Sequence, residues 1–225
     1  MVPNAHTTNT DPRRARISGL YVILDASPRR GLAPVDVARA ALEGGARMLQ
    51  LREKSLAKGP QLALARGLQA LCEAFGALFF VNDHADLAAA AGAHGVHVGQ
   101  QDLPVVEVRR LVSPDTLVGT STNNVQEALA AQRAGADYVA VGSIFPTQTK
   151  GDTRPASPEV LRQIKAQLAV PVVAIGGIKE GNLEQVLEAG ADAVAVISAV
   201  VDAPDIRGAA ARLSGRIQAF RDAAK

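Results

Sequence analysis

The sequence contains one cysteine, Cys72, no tryptophan, and only five Phe and two Tyr in 225 residues. A single cysteine excludes an internal disulfide. Its apolar, helix-patterned setting beside Leu68, Leu71 and Phe75 assigns it to the core rather than to a reactive thiol. No staple is needed, because a chain of this length buries roughly 70% of the surface that its unfolded form exposes. No aromatic residue is interleaved with a basic run, which removes the stacking surface that single-stranded nucleic acid requires. The 24 basic and 22 acidic residues are scattered and leave a net charge of +2, so no basic patch is in prospect for a duplex. No segment approaches the roughly 18 uninterrupted apolar residues of a membrane span. The first residues are polar (Asn4 to Thr10) and then basic (Arg13, Arg14, Arg16), without the apolar stretch of a secretory signal. A soluble, cytoplasmic protein is expected, with residues 1–16 as a flexible N-terminal extension and residues 17–225 as one catalytic domain. Also missing are a Gly-x-Gly-x-x-Gly fingerprint, a serine in a nucleophile elbow, and any metal-ligand spacing of His84, His94 and His97 with cysteine. His97 reads as a satisfied core histidine.

What is present is a repeat. The phrases Gly44-Gly45-Ala46, Ala91-Gly92-Ala93, Ala134-Gly135-Ala136 and Ala189-Gly190-Ala191 are each followed by an apolar strand pattern beginning near Met48, Gly95, Tyr138 and Ala193. Glycine takes the left-handed position that ends a helix, and alanine lets the returning chain pass close before the strand begins. The phrases lie roughly 43 to 55 residues apart, about twice one strand-plus-helix unit. A further strand is therefore expected in each interval, and Leu20–Leu24, Leu78–Val81, Thr116–Gly119 and Val170–Ile175 supply them. Eight strands alternating with helices predict an α/β fold, a single (β/α)8 TIM barrel with parallel strands. The alternative, a doubly wound sheet, lacks its glycine-rich turn after the first strand, where Asp25-Ala26-Ser27-Pro28 stands instead.

In such a barrel the site lies at the C-terminal strand ends, where polar residues should break the apolar rule. Gln50-Leu51-Arg52-Glu53-Lys54 ends the second strand, and alternation puts Gln50, Arg52 and Lys54 on one face, an arrangement suited to a diphosphate. Asn82-Asp83 and Asp102 end the third and fourth strands. Two neighbouring carboxylates there suit either an acid/base pair or, beside a diphosphate, magnesium ligands. Either aspartate alone would serve equally as a helix cap. Ser121 and Asn123 follow the fifth strand, and their polar groups suit either a ligand or the next helix start. Ser143 to Ser157 is the longest irregular stretch, a length typical of a functional loop, and carries Lys150. Gly176-Gly177 and Ile197-Ser198 end the last two strands, where barrels of this type often bind a phosphomonoester on backbone N–H groups.

The ordered set Gln50 to Lys54, Asn82-Asp83, Gly99-Gln100-Gln101-Asp102, Pro146-Thr147-Gln148-Thr149-Lys150 and Gly176-Gly177-Ile178 resembles thiamine phosphate synthase, from about Gly19 to Val200. The resemblance implies an enzyme that joins 4-amino-2-methyl-5-(diphosphooxymethyl)pyrimidine to a thiazole phosphate, with Mg2+, and releases pyrophosphate. It implies that the run Gln50, Leu51, Arg52, Glu53, Lys54, together with Asn82, Ser121 and Lys150, binds the pyrimidine diphosphate. Of these, Arg52, Lys54, Ser121 and Lys150 are the catalytic candidates. It gives Asp83 and Asp102 to the metal, and Thr147, Gln148, Thr149, Gly177, Ile197 and Ser198 to the thiazole phosphate. The implied route is dissociative: diphosphate departs, a pyrimidine methylene cation forms, and the thiazole nitrogen captures it. That route needs no strong nucleophile, in keeping with the motifs the chain lacks. The alternatives are a thiazole tautomerase of the same fold and a non-catalytic barrel that binds thiamine precursors. Small molecules are the expected partners, with neither nucleic acid nor membrane, and a homo-oligomer is left open. The chain departs from common family forms at Gly151-Asp152-Thr153-Arg154.

Overall fold

Each copy of the repeated phrase ends a helix and opens an even-numbered strand, with Gly45, Gly92, Gly135 and Gly190 all at positive φ. The computed structural model describes residues 11–27, 29–147 and 154–223. Strands β1 (Gly19–Leu24), β2 (Met48–Leu51), β3 (Leu78–Asn82), β4 (Gly95–Val98), β5 (Leu117–Thr122), β6 (Tyr138–Val141), β7 (Val172–Ile175) and β8 (Ala193–Val196) pair in parallel and in order. β8 returns to β1, so the barrel is closed and no sheet edge is left. The helices between them are α2 (Pro34–Glu43), α3 (Lys58–Ala74), α4 (Ala85–Ala91), α5 (Val105–Leu111), α6 (Val125–Arg133), α7 (Pro158–Lys165) and α8 (Leu183–Glu188). A one-turn α9 (Ser198–Val201) follows β8, and α10 (Ile206–Ala223) packs across α2 to finish the ring.

Strand alternation divides the core in two. Outward residues such as Leu49, Phe79, Val96, Val118, Val139 and Val194 meet the helices. Inward residues such as Tyr21, Met48, Leu78, Phe80, Leu117, Tyr138 and Val173 fill the barrel. Two glycines on inward positions make room for rings: a Cβ on Gly95 would overlap Phe80, and one on Gly119 would overlap Tyr138. Glycine, weak in a strand on propensity alone, is required here by the volume of the neighbouring strand's aromatic side chain.

The fifth strand runs past its expected end at Gly119 to Thr122, because Thr120, Ser121 and Thr122 keep pairing with Val139, Ala140 and Val141 of β6. The seventh begins two residues later than expected, at Val172. Residues 11–16 are not loose. Asp11 caps a helical turn, α1 (Pro12–Ala15), Arg14 pairs with buried Asp137 at 2.9 Å, and Ile17 closes the lower end of the barrel interior. An acceptor at the cap and two arginines with partners across the barrel floor supply contacts that an extension would lack.

Candidate active site

At the C-terminal end of the barrel the inward positions change from apolar to polar, but only on one side. Gln50, Asn82 and His97 from β2, β3 and β4 are buried, and Ser121 from β5 is half-buried. The opposite side presents Ala140, Ile175 and Ile197 with the turn Gly176-Gly177. The mouth therefore has a polar half and an apolar, glycine-lined half.

Under the polar half runs an unbroken chain of hydrogen bonds. Gln50 Nε2 donates to the Tyr21 hydroxyl at 2.7 Å, the Tyr21 and Tyr138 hydroxyls meet at 3.3 Å, Tyr138 contacts His97 Nδ1 at 3.0 Å, and His97 Nε2 contacts Ser121 Oγ at 3.0 Å. The first link runs from the Gln50 amide to Tyr21; in the others either partner can donate, as the His97 tautomer dictates. Burial pushes both phenols above their ordinary range, so they remain neutral members of the chain. His97 is the satisfied core histidine expected, and it also orients Ser121. Gln50 and Ser121 are thus coupled through the barrel floor. Spacing along the chain gave no sign of it, because Tyr21 and Tyr138 read as ordinary strand aromatics.

Above that floor the cations and carboxylates gather. Arg52 is partly covered, and its Nε is buried with no hydrogen-bond partner among the described residues. Lys54 is exposed, with Nζ 3.8 Å from Asp83. Asp83 sits at φ +65, a left-handed conformation that aspartate tolerates better than most side chains. Burial first, and then the adjoining carboxyl of Asp102, push Asp83 from 3.8 up to about 6, while Lys54 and Arg52 pull the other way. Asp102 is held by the Gly99 N–H on its Oδ2 at 2.7 Å. The two acids are thus paired, crowded, and short of positive charge.

Two residues of the expected run have other work. Leu51 points into the outer layer among the helices, so its side chain cannot reach the mouth. Glu53 accepts from Ser55 Oγ at 2.6 Å, Ser55 N at 2.5 Å, Ala26 N at 2.8 Å and Leu56 N at 2.9 Å. Burial raises its carboxyl, but these donors outweigh burial and hold it at about 2. Its side chain shapes the β2–α3 and β1–α2 loops. Both corrections come from alternation: Leu51 and Glu53 occupy the face opposite Gln50, Arg52 and Lys54.

On the other half, Gly177 at φ +64 lies so close to the β6–α7 connection that a Cβ would sit 2.6 Å from Pro146 O and 2.7 Å from Phe145 O. Asn182 ties Gly177 O at 3.0 Å. Neighbouring β8 brings Ile197 and exposed Ser198 to the start of α9, where backbone N–H groups lack intrahelical partners. Thr147 is described and sits on the same connection; Gln148, Thr149 and Lys150 lie outside the described residues. Residues not singled out by motif reading are Tyr21, Tyr138, Glu127 and Arg154. Asn124, not a ligand-facing group, caps α6 by accepting from Glu127 N at 2.9 Å.

A profile described as thiamine monophosphate synthase matches residues 20–200. The thiamine-phosphate synthase of Geobacillus kaustophilus is 48% identical over 213 residues, covering 92% of this chain and 95% of that one. That of Methanoculleus marisnigri is 47% identical over 203 residues, covering 90% and 96%. The solved thiamine phosphate pyrophosphorylase from Pyrococcus furiosus superposes with a TM-score of 0.84 at 38% identity, covering 92% of this chain and 98% of that chain. With a profile match over most of its length and relatives at 47% and 48% identity that cover most of both chains, the chain belongs to the thiamine monophosphate synthase family.

Proposed function

We propose that the barrel condenses the pyrimidine diphosphate with a thiazole phosphate in a magnesium-dependent, dissociative reaction, giving thiamine phosphate and pyrophosphate. The observation that carries the reading is the divided mouth: cations, amides and paired acids on β2 to β5, and an apolar, glycine-lined phosphate turn on β7 and β8.

The donor set fits magnesium. Asp83 and Asp102 are hard oxygen ligands already adjacent, and the raised Asp83 carboxyl marks a place where positive charge is wanted. No cluster of three or more His, Cys, Asp or Glu occurs among the described residues, so two carboxylates would need substrate oxygens and water to complete a shell. Bound there, the ion would add positive charge beside the departing diphosphate. The chain's own groups act alongside. Arg52, with its unpartnered Nε, and Lys54 bind the diphosphate and stabilise the negative charge that grows as the C–O bond lengthens. Gln50, Asn82 and the Ser121 hydroxyl orient the pyrimidine from below. Gly177, Ile197 and Ser198 hold the thiazole phosphate so that its ring nitrogen faces the methylene carbon. The family resemblance gives Lys150 to the departing diphosphate and Thr147, Gln148 and Thr149 to the thiazole phosphate.

A tautomerase would use only the phosphate half and leave Arg52, Lys54, Asp83 and Asp102 without a task. A non-catalytic binder would hold both ligands without turnover. Phosphorylated substrates do not cross lipid, so the cytoplasm is the compartment proposed. The test is pyrophosphate release with both substrates, with each alone, and with EDTA. Release that needs both substrates and the metal supports the synthase. Thiazole phosphate binding without release would leave the tautomerase or the binder.

A further inference from the structure

The β6–α7 connection leaves the barrel at Gly142 and comes back at Arg154, and side chains from the β5–α6 corner join the two points. Asn123 Nδ2 donates to Gly142 O at 2.5 Å and to Arg154 O at 2.7 Å. Arg154 grips both oxygens of Glu127, at 2.7 and 3.0 Å, and reaches Asn123 Oδ1 at 3.1 Å. Glu127 in turn accepts the Asn123 N–H at 2.9 Å. Backbone bonds from Ser143 N to Arg154 O at 3.2 Å and from Ala156 N to Ser143 O at 2.8 Å complete the tie.

Helix capping does not account for this cluster. Asn124 and Glu127 satisfy the start of α6 between themselves, so the Arg154 arm adds nothing to the cap. Stability is not its main product either, since an ion pair with a half-exposed arginine contributes little to folding. A two-pronged arginine fixes position more than it adds energy. What it positions follows from the next contacts. Ile144 N donates to Ile175 O at 3.0 Å and Phe145 N to Gly176 O at 3.0 Å. Gly177 has no room to shift towards Phe145 and Pro146. Ser143 to Pro146 and Gly176-Gly177 are therefore tied directly to one another.

We propose that Arg154, Glu127 and Asn123 are positioning residues for thiazole phosphate, acting through residues 143–146 on the Gly176-Gly177 turn. The inference rests on the reading of that turn as the phosphate site. Steady-state kinetics with each substrate varied, together with calorimetric binding of thiazole phosphate, test it. Arg154→Met is expected to raise KM and Kd for thiazole phosphate about tenfold, with KM for the pyrimidine diphosphate within about twofold and little change in Tm. Arg154→Lys keeps the charge but not the fork and should rescue only a small part of the loss. Adding Glu127→Gln to Arg154→Met should add little, because both remove one contact. Unchanged thiazole phosphate affinity in Arg154→Met, or an equal rise in both KM values with a fall in Tm, overturns the proposal. Absence of turnover in the unsubstituted protein would count against the synthase reading alone, since Kd still reports on the clamp. Absence of thiazole phosphate binding there would remove the clamp proposal as well.

Discussion

Asp83 combines three costs at one residue: a left-handed backbone, partial burial, and a carboxyl neighbour in Asp102. Such costs persist at sites where function requires them. Because its carboxyl is raised from 3.8 to about 6, the folded protein binds this proton more tightly than the unfolded chain does. The ionised form therefore costs stability above about pH 6. That cost shrinks as pH falls towards 3.8 and vanishes below it. Asp83→Asn, which keeps the shape and suits the same backbone, should raise Tm at pH 7.5 in EDTA by about 2 °C and should nearly abolish pyrophosphate release. Its advantage should disappear near pH 4 and, on the proposed magnesium assignment, be reversed by magnesium, which would stabilise only the unsubstituted site. A lower Tm for Asp83→Asn in EDTA would contradict this account of the pair. Asp83 and Asp102 were legible because a charged residue at the end of an apolar strand stands out in one dimension. The Gln50–Tyr21–Tyr138–His97–Ser121 chain was not, because its members come from five strands and meet only once the barrel closes.

Among elements, the repeated phrase does more than end helices. After three of its four copies the next residue satisfies a backbone donor near the start of the preceding strand: His94 Nδ1 accepts from Phe79 N at 3.1 Å, Asp137 Oδ2 from Val118 N at 2.8 Å, and Asp192 Oδ2 from Val172 N at 2.8 Å. Arg109 of α5 and Lys165 of α7 then neutralise the two aspartates. Burial lowers His94 below its ordinary range, in keeping with a neutral acceptor. The order of strands and helices was readable because the phrase is local and recurs. Strand ends were less so, since the extension of β5 to Thr122 depends on a partner across the sheet rather than on local propensity. Gly119 illustrates the same limit: in sequence it looks like a strand end, and in the barrel it is the space into which Tyr138 fits. Gly119→Ala should cost about 1–3 kcal/mol, read as a fall in denaturation midpoint. In a Tyr138→Leu background the same change should cost much less, and an equal cost in both would show that the glycine serves the backbone instead.

At the scale of the whole molecule the two ends of the barrel have separate duties. The C-terminal end holds crowded acids and a cation with an unpartnered nitrogen, which oppose stability and suit charged substrates. At the N-terminal end the buried acid is compensated. Asp137, almost completely buried, receives Arg14 at 2.9 Å, Arg109, and the Val118 N–H. Ile17 seals the interior beneath Tyr21 and Met48. A defect at this end should therefore appear in stability and not in catalysis. Arg14→Ala removes one of two charged donors from a buried carboxylate and leaves Arg109 and the Val118 N–H, at a cost of about 1.5 kcal/mol, or roughly 4 °C in Tm. KM for both substrates and kcat should stay within about twofold of the unsubstituted protein at a temperature well below the transition, since no strand register at the mouth depends on that contact. Arg154→Met should give the opposite pattern, a large change in one KM at nearly constant Tm. If Arg14→Ala altered substrate affinity, the barrel would be transmitting strain along its strands from floor to mouth. The buried chain from Gln50 to Ser121 would then be the first path to examine, because Tyr138 lies next to Asp137 at the start of β6.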